Sequence, residues 1–214
     1  ARIRAAVRRP LTGFKVAAYY GCLSQRPPKV TGARRPEHPT DLDRLVEAAG
    51  ATPVRWSHKT ECCGGSLTVA RADIVRGLVR EIVAAARRGG AEAIVTDCAM
   101  CQANLESRQA DLARAGEGFA TMPVYFATEI LAAVLSAEGG ARWAKGHLVD
   151  ARLLGEKLAA AGRGASAAAR AGAAQGEAAG GSAAQGTDPA GASAAAGQPA
   201  GREPAERPRE VAGS

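Results

Sequence analysis

The chain has 214 residues, is 46% hydrophobic but only 4% aromatic, and carries 28 Lys and Arg against 21 Asp and Glu for a formal charge of +7. This length suits one ordinary domain or two small ones with an aliphatic core, no apolar run reaches the length of a membrane span, and no signal-peptide pattern follows the basic start ARIRAAVRRP. The charge excess falls in residues 1–162, because Arg163–Ser214 holds five Arg against five acids, and no nucleic-acid-reading motif accompanies it, so nucleic acid is not an expected partner.

Residues 1–12 read as a basic N-terminal arm, or the remnant of a preceding domain, with Arg2, Arg4, Arg8 and Arg9 suited to docking an acidic partner protein. FKVAAYY (14–20) is the pattern of a short buried strand ending at Gly21-Cys22. HPTDLDRLVEAAG (38–50) predicts a helix with Thr40 as cap, Asp43 at the capping-box position and Gly50 as its stop. TPVRW (52–56) predicts a second strand. LTVARADIVRGLVREIVAAARRGG (67–90) predicts a helix with Ile74, Leu78, Ile82 and Val83 on its apolar face, ending at Arg87, Arg88 and two glycines. AEAIVTD (91–97) and MPVYFAT (122–128) predict the third and fourth strands, and 100–115 and 129–137 the helices after them. The fold class is therefore α/β, a parallel sheet of about four strands covered by helices. Residues 161–214, rich in Ala and Gly and without aromatics, predict a disordered tail, because they bury too little apolar surface to offset the entropy of ordering.

All five cysteines lie between Cys22 and Cys101, spaced C-x39-CC-x34-C-x2-C. An odd count without a leader argues against a disulfide framework. On the predicted topology, Cys22 follows the first strand, Cys62 and Cys63 lie in a loop beyond the second, and Cys98 follows the third. All then sit at the carboxyl edge of the sheet, where open α/β proteins place ligands. Four readings remain open: isolated buried thiols, a structural zinc site, a dithiol redox pair at CAMC, and an iron–sulfur cluster. Adjacent side chains diverge, so Cys62 and Cys63 suit a multi-atom cluster better than one ion. Gly64 and Gly65 would let backbone N–H groups approach sulfur.

The segments YYGCLSQRPP, HPTDLDRLVEAAGA, ECCGGSLTVAR, DCAMCQANLESRQ and MPVYFATEIL together resemble the cysteine-rich CCG domain family, above all the C-terminal domain of the heterodisulfide reductase B subunit. The resemblance covers roughly residues 10–158, and 13–160 is the expected domain. Similar domains occur in a succinate dehydrogenase subunit and in iron–sulfur subunits of glycolate and lactate oxidation systems. The resemblance implies a noncubane [4Fe-4S] cluster held by Cys22, Cys62, Cys63, Cys98 and Cys101, and an oxidoreductase subunit that passes electrons to a disulfide or thiol-linked substrate. The family enzyme cleaves a disulfide between two thiol coenzymes by successive one-electron transfers at two such clusters. It also implies a ferredoxin-like iron–sulfur subunit and a flavoprotein subunit as partners, and a cytoplasmic location or one peripheral to a membrane complex. The alternative is a non-catalytic electron-transfer or docking subunit of a succinate, glycolate or lactate dehydrogenase-type complex, with a zinc-binding structural domain as a third reading. Two features depart from the family pattern. Ala99 stands where the family has proline, and one CCG domain is present where the family usually has two. The first residue is Ala, so the expectation is that a second CCG domain was lost by truncation or comes from another polypeptide.

Arg26 is a candidate anion contact beside Cys22, or a solvated loop arginine. His58 and His147 are candidate proton donors or metal ligands, with surface or cap roles as the plainer reading. Gln102 and Asn104 are candidates for bonds behind the cysteines, and Trp56 and Trp143 read as packing residues.

Overall fold

The computed structural model describes residues 2–116, 118–136 and 145–163. Trp143, and the predicted tail from residue 164 onward, lie outside the described residues. In chain order the elements are α1 (Arg2–Ala6), β1 (Lys15–Tyr19), α2 (Pro28–Thr31), α3 (Asp41–Ala48), β2 (Thr52–Pro53), α4 (Ala72–Arg88), β3 (Ala93–Thr96), α5 (Ala99–Arg114), β4 (Val124–Phe126) and α6 (Ala127–Leu135). Residues 153–163 are also helical. The four strands form one parallel sheet in the order β2-β1-β3-β4. The protein is thus an α/β domain of the expected kind.

The strands alternate cleanly between two cores, as period-2 geometry requires. Val16, Ala18, Ala93, Val95 and Tyr125 pack on one face with Leu42 and Val46 of α3 and Ile130, Ala133 and Val134 of α6. Ala17, Tyr19, Ile94 and Val124 pack on the other face with Val75, Val79, Ile82 and Val83 of α4 and Leu105 of α5. Cys63 and Cys101 belong to this second core. The neighbouring tyrosines at the end of β1 are therefore divided, Tyr19 to the α4/α5 face and Tyr20 to the α3/α6 face.

Several boundaries differ from expectation. β2 stops at Pro53, which lacks the N–H a longer ladder needs; the Val54 N–H still donates to Val16 O at 2.8 Å before the chain leaves the edge. Helix α4 starts at Ala72 rather than near 67, because Gly65–Leu67 is a 3-10 turn in the loop around the thiols. Its buried stripe holds Val75 and Val79, while the expected Ile74 and Leu78 are 41% and 37% exposed. The sequence is apolar at both 74–75 and 78–79, so periodicity leaves the helix rotation open by one residue.

Thr40 occupies the cap position of α3, but its side chain caps nothing. The Tyr20 hydroxyl does so instead, accepting from the N–H groups of Leu42 (2.9 Å) and Asp43 (3.1 Å) and donating to the Asp43 carboxylate at 2.6 Å. Asp43 also holds Lys59 Nζ at 2.8 Å, so it serves a tertiary network, not a capping box. The Gly50 stop is present at φ +87°, with Gly50 N–H to Glu47 O and Ala51 N–H to Val46 O closing a Schellman motif. Helix α6 begins two residues earlier than expected, because the Glu129 carboxylate accepts from the Phe126 N–H at 2.6 Å. In the basic N-terminal segment, Leu11 is fully buried and the Arg8 and Arg9 N–H groups donate to Val134 O at the end of α6.

Candidate metal centre

Strand order reverses between β1 and β3, and the crevice at the carboxyl ends of such a pair is the usual ligand site of a doubly wound sheet. Cys22 follows β1, Cys98 follows β3 as the cap residue of α5, and Cys101 lies in the first turn of that helix. The loop from β2 to α4 supplies Cys62 and Cys63. All five cysteines are free thiols.

The adjacent pair points two ways. Cys62 is exposed and its Sγ lies 3.7 Å from that of Cys22, whereas Cys63 is 3% exposed and its Sγ lies 3.6 Å from that of Cys101. The Cys101 N–H faces Cys98 Sγ at 3.4 Å, and the Gly64 N–H faces Cys62 Sγ at 3.3 Å. Among the described residues, no three His, Cys, Asp or Glu side chains close on a point that would hold a single metal ion.

Glycines make room for this packing. Gly64 sits at φ +76°, and a Cβ there would come 2.9 Å from Leu78 Cδ1. Gly21, one residue before Cys22, sits at φ +61°, and a Cβ would come 2.8 Å from Cys101 Sγ. At Gly65 the nearest obstacle to a Cβ is Met100, at 3.0 Å, with Cys63 Sγ at 3.5 Å.

Helix α5 holds the loop from behind. Asn104, 3% exposed, donates from Nδ2 to Cys63 O at 2.7 Å and accepts at Oδ1 from Thr68 Oγ1 at 2.6 Å. Tyr19 comes up from the sheet, its hydroxyl donating to Glu61 O at 2.6 Å and its ring against Trp56, whose Nε1 donates to Ala18 O. Contact with the Cys101 thiol, then Asn104, the Gly65 N–H and the Tyr19 hydroxyl, pull the Cys63 thiol down to about 6 against the opposing effect of burial. The same contact and burial push Cys101 up, and burial followed by the Cys62 contact raises Cys22. Tyr19 is raised by burial and by the thiols around it.

The other candidates have separate employment. Gln102 bonds Glu129 and Val124 O. His147 has a nearly buried side chain held between Glu106 at Nδ1 and Glu129 at Nε2, and those bonds raise its pKa to about 10. His58 pairs with Ser57 at the surface, and Arg26 with Glu37. Sequence reading missed Tyr19, Gly21 and Thr68. The signal for Tyr19 was its place in YYGC, two residues beyond Ala17 on the α4/α5 face.

A parallel α/β domain that gathers five free thiols and several backbone N–H groups at its carboxyl edge is a thiolate-rich centre suited to soft metals. Residues 16–106 match the family described as the CCG cysteine-rich domain. The chain is 28% identical over 153 residues to the 8-methylmenaquinol:fumarate reductase membrane anchor subunit of Wolinella succinogenes, a match covering 72% of this chain and 54% of the relative. It is 31% identical over 110 residues to the B subunit of the ferredoxin/F(420)H(2)-dependent CoB-CoM heterodisulfide reductase of Methanosarcina acetivorans, covering 50% and 36%. It is 28% identical over 135 residues to an Archaeoglobus profundus protein described as like the heterodisulfide reductase B subunit, covering 61% and 45%. The chain thus spans about half or less of the length of these relatives, which are subunits of reductases or similar to them. Among the described residues no helix is long and apolar enough to cross a membrane.

Proposed function

We propose that the chain is an iron–sulfur subunit of a heterodisulfide reductase-like complex, delivering electrons to a disulfide or thiol-linked small molecule. The observation that carries this reading is the thiol set itself: two sulfur pairs, 22/62 and 63/101, with Cys98 beside them, behind a loop held by Asn104. Five soft donors, four in two S···S contacts and Cys98 accepting from the Cys101 N–H, suit a group with several metal atoms better than one tetrahedral zinc. Cys22, Cys62, Cys63, Cys98 and Cys101 would hold a noncubane [4Fe-4S] cluster, with Gly64 and Gly65 offering backbone N–H groups to sulfur. Bound there, the cluster supplies one-electron transfer. The chain's own residues shape its surroundings: Cys63 and Cys101 lie in the apolar core, whereas Cys62 stands at the surface on the side open to a partner or substrate.

The proposed partners are a ferredoxin-like iron–sulfur subunit, a flavoprotein subunit and a second CCG domain, in the cytoplasm or at the periphery of a membrane complex. A second reading, an electron-transfer or docking subunit of a fumarate or succinate-type complex, is supported by the longer match to the fumarate reductase subunit. Anaerobic reconstitution followed by EPR of the oxidised, thiol-treated protein tests the proposal. A paramagnetic signal that disappears in Cys62→Ser supports it, and a diamagnetic protein under all redox conditions contradicts it.

A further inference from the structure

The carboxyl edge of the sheet carries a second feature, on the opposite face from Cys63 and Cys101. A cleft of about 940 Å³ opens between the end of β1, the segment from Ser24 to Pro39 and the first turns of α3, with Ala127 of α6 and Asp97 also in its wall. Its volume lies in the range of small-molecule sites, about 300–1,000 Å³. Its wall is continuous with the thiol site. The N–H groups of Gln25 and Arg26 donate back to Cys22 O at 3.1 and 2.9 Å. Ser24 Oγ donates to Tyr20 O, and Thr31 Oγ1 to Gln25 O. The segment leaving Cys22 is thereby tied down, and buried Gln25 lies in the lining.

The cations of the cleft are uneven in their employment. Arg44 faces Asp41 at 4.0 Å, but the guanidinium groups of Arg34 and Arg35 make no ion pair or side-chain hydrogen bond among the described residues. His38 and Thr40 stand in the same wall. Three arginines against two carboxylates, Asp41 and Asp97, leave an excess of one positive charge before His38 is counted. That balance suits a mono- or dianion in a concave site better than a polyanion, and planar guanidinium groups match the oxygens of a carboxylate, sulfonate or phosphate.

We propose that this cleft binds the acidic group of a small anionic molecule, a carboxylate, sulfonate or phosphate, through Arg34 and Arg35 with His38 and Thr40 alongside. The inference deepens the function proposed above, on which it rests for its meaning. It gives the same sheet edge a recognition side beside its thiol side, so that a substrate or electron acceptor with an acidic end would be held next to Cys22.

The test is isothermal titration of the full chain with methanesulfonate, inorganic phosphate and succinate, each at constant ionic strength, with hexaglutamate as a peptide arm. The expected result is saturable one-to-one binding of at least one small anion, weakened at least tenfold in the Arg34→Gln/Arg35→Gln double variant. Ala33→Glu, which places a carboxylate in the lining and spares both arginines, should weaken it similarly, while Arg114→Gln, at the far end of α5 and outside the cleft, should leave it intact. Absence of saturation by all three small anions, equal affinity in the double variant, or binding of hexaglutamate alone would overturn the proposal. Iron content does not enter this readout, so a chain that binds zinc can still bind the anion, and one that binds a cluster can still fail to.

Discussion

Asn104 Nδ2 donates to the carbonyl of Cys63 at 2.7 Å, tying helix α5 to a loop 41 residues away in sequence. The same helix carries Cys101, whose sulfur lies 3.6 Å from that of Cys63. One helix thus controls both members of the buried thiol pair, by a sulfur in its first turn and an amide in its second. Asn104→Ala leaves a buried carbonyl and the Thr68 hydroxyl without their partner, and losing such a bond costs about 1–3 kcal/mol. Urea denaturation should register that loss, and metal retained per chain should fall with it.

Gly21 and Gly32 make a matched comparison. Both sit at positive φ, +61° and +70°, but a Cβ at Gly21 would lie 2.8 Å from Cys101 Sγ, whereas nothing lies within 4 Å at Gly32. Alanine at either position takes on the left-handed penalty of about 1–2 kcal/mol. Only Gly21→Ala should also displace Cys101. The expected outcome is greater destabilisation of Gly21→Ala than of Gly32→Ala in urea, and faster reaction of Cys101 with a thiol reagent in the former alone.

His147 gives a pH signature. Its bonds to Glu106 and Glu129 raise its folded pKa to about 10 from an ordinary value near 6.5. A raised pKa means the contribution is complete below about pH 6.5 and is lost as pH climbs through about 10. Stability measured by urea at pH 6, 8 and 10 should therefore decline from this group across the series, and His147→Gln should lower the pH 6 value most and flatten the decline. The Leu148 N–H, which donates to Glu106 at 3.0 Å, ties the segment at 147–148 to the same carboxylate.

Tyr20 offers a simpler test of helix capping. Its hydroxyl takes the N–H groups of Leu42 and Asp43 that Thr40 was expected to serve. Tyr20→Phe should cost on the order of 1–2 kcal/mol, the scale of a lost cap, whereas Thr40→Ala should change stability far less.

The parallel α/β sheet and the convergence of the cysteines at one edge were legible in the sequence, because strand and helix periods alternate, four thiols fall after a strand or in the loop that follows, and Cys101 falls at the start of the next helix. What remained hidden depends on tertiary contact. The rotation of α4 was ambiguous because residues 74, 75, 78 and 79 are all apolar. The cap of α3 came from a tyrosine 22 residues before Leu42, which no local capping pattern contains. The role of the glycines after Cys63 is legible from their place in CCGG, whereas that of Gly21 is not, since its reason is the sulfur of Cys101, distant in sequence. His147 gave no sign of its two glutamate partners because both lie on other elements.

Whether the five thiols at this sheet edge hold a multi-iron cluster is decided by counting iron and acid-labile sulfide per chain after anaerobic reconstitution, alongside zinc. About four irons with matching sulfide are expected, falling sharply in Cys63→Ser and Cys101→Ser. One tightly held zinc per chain with no labile sulfide would contradict the cluster.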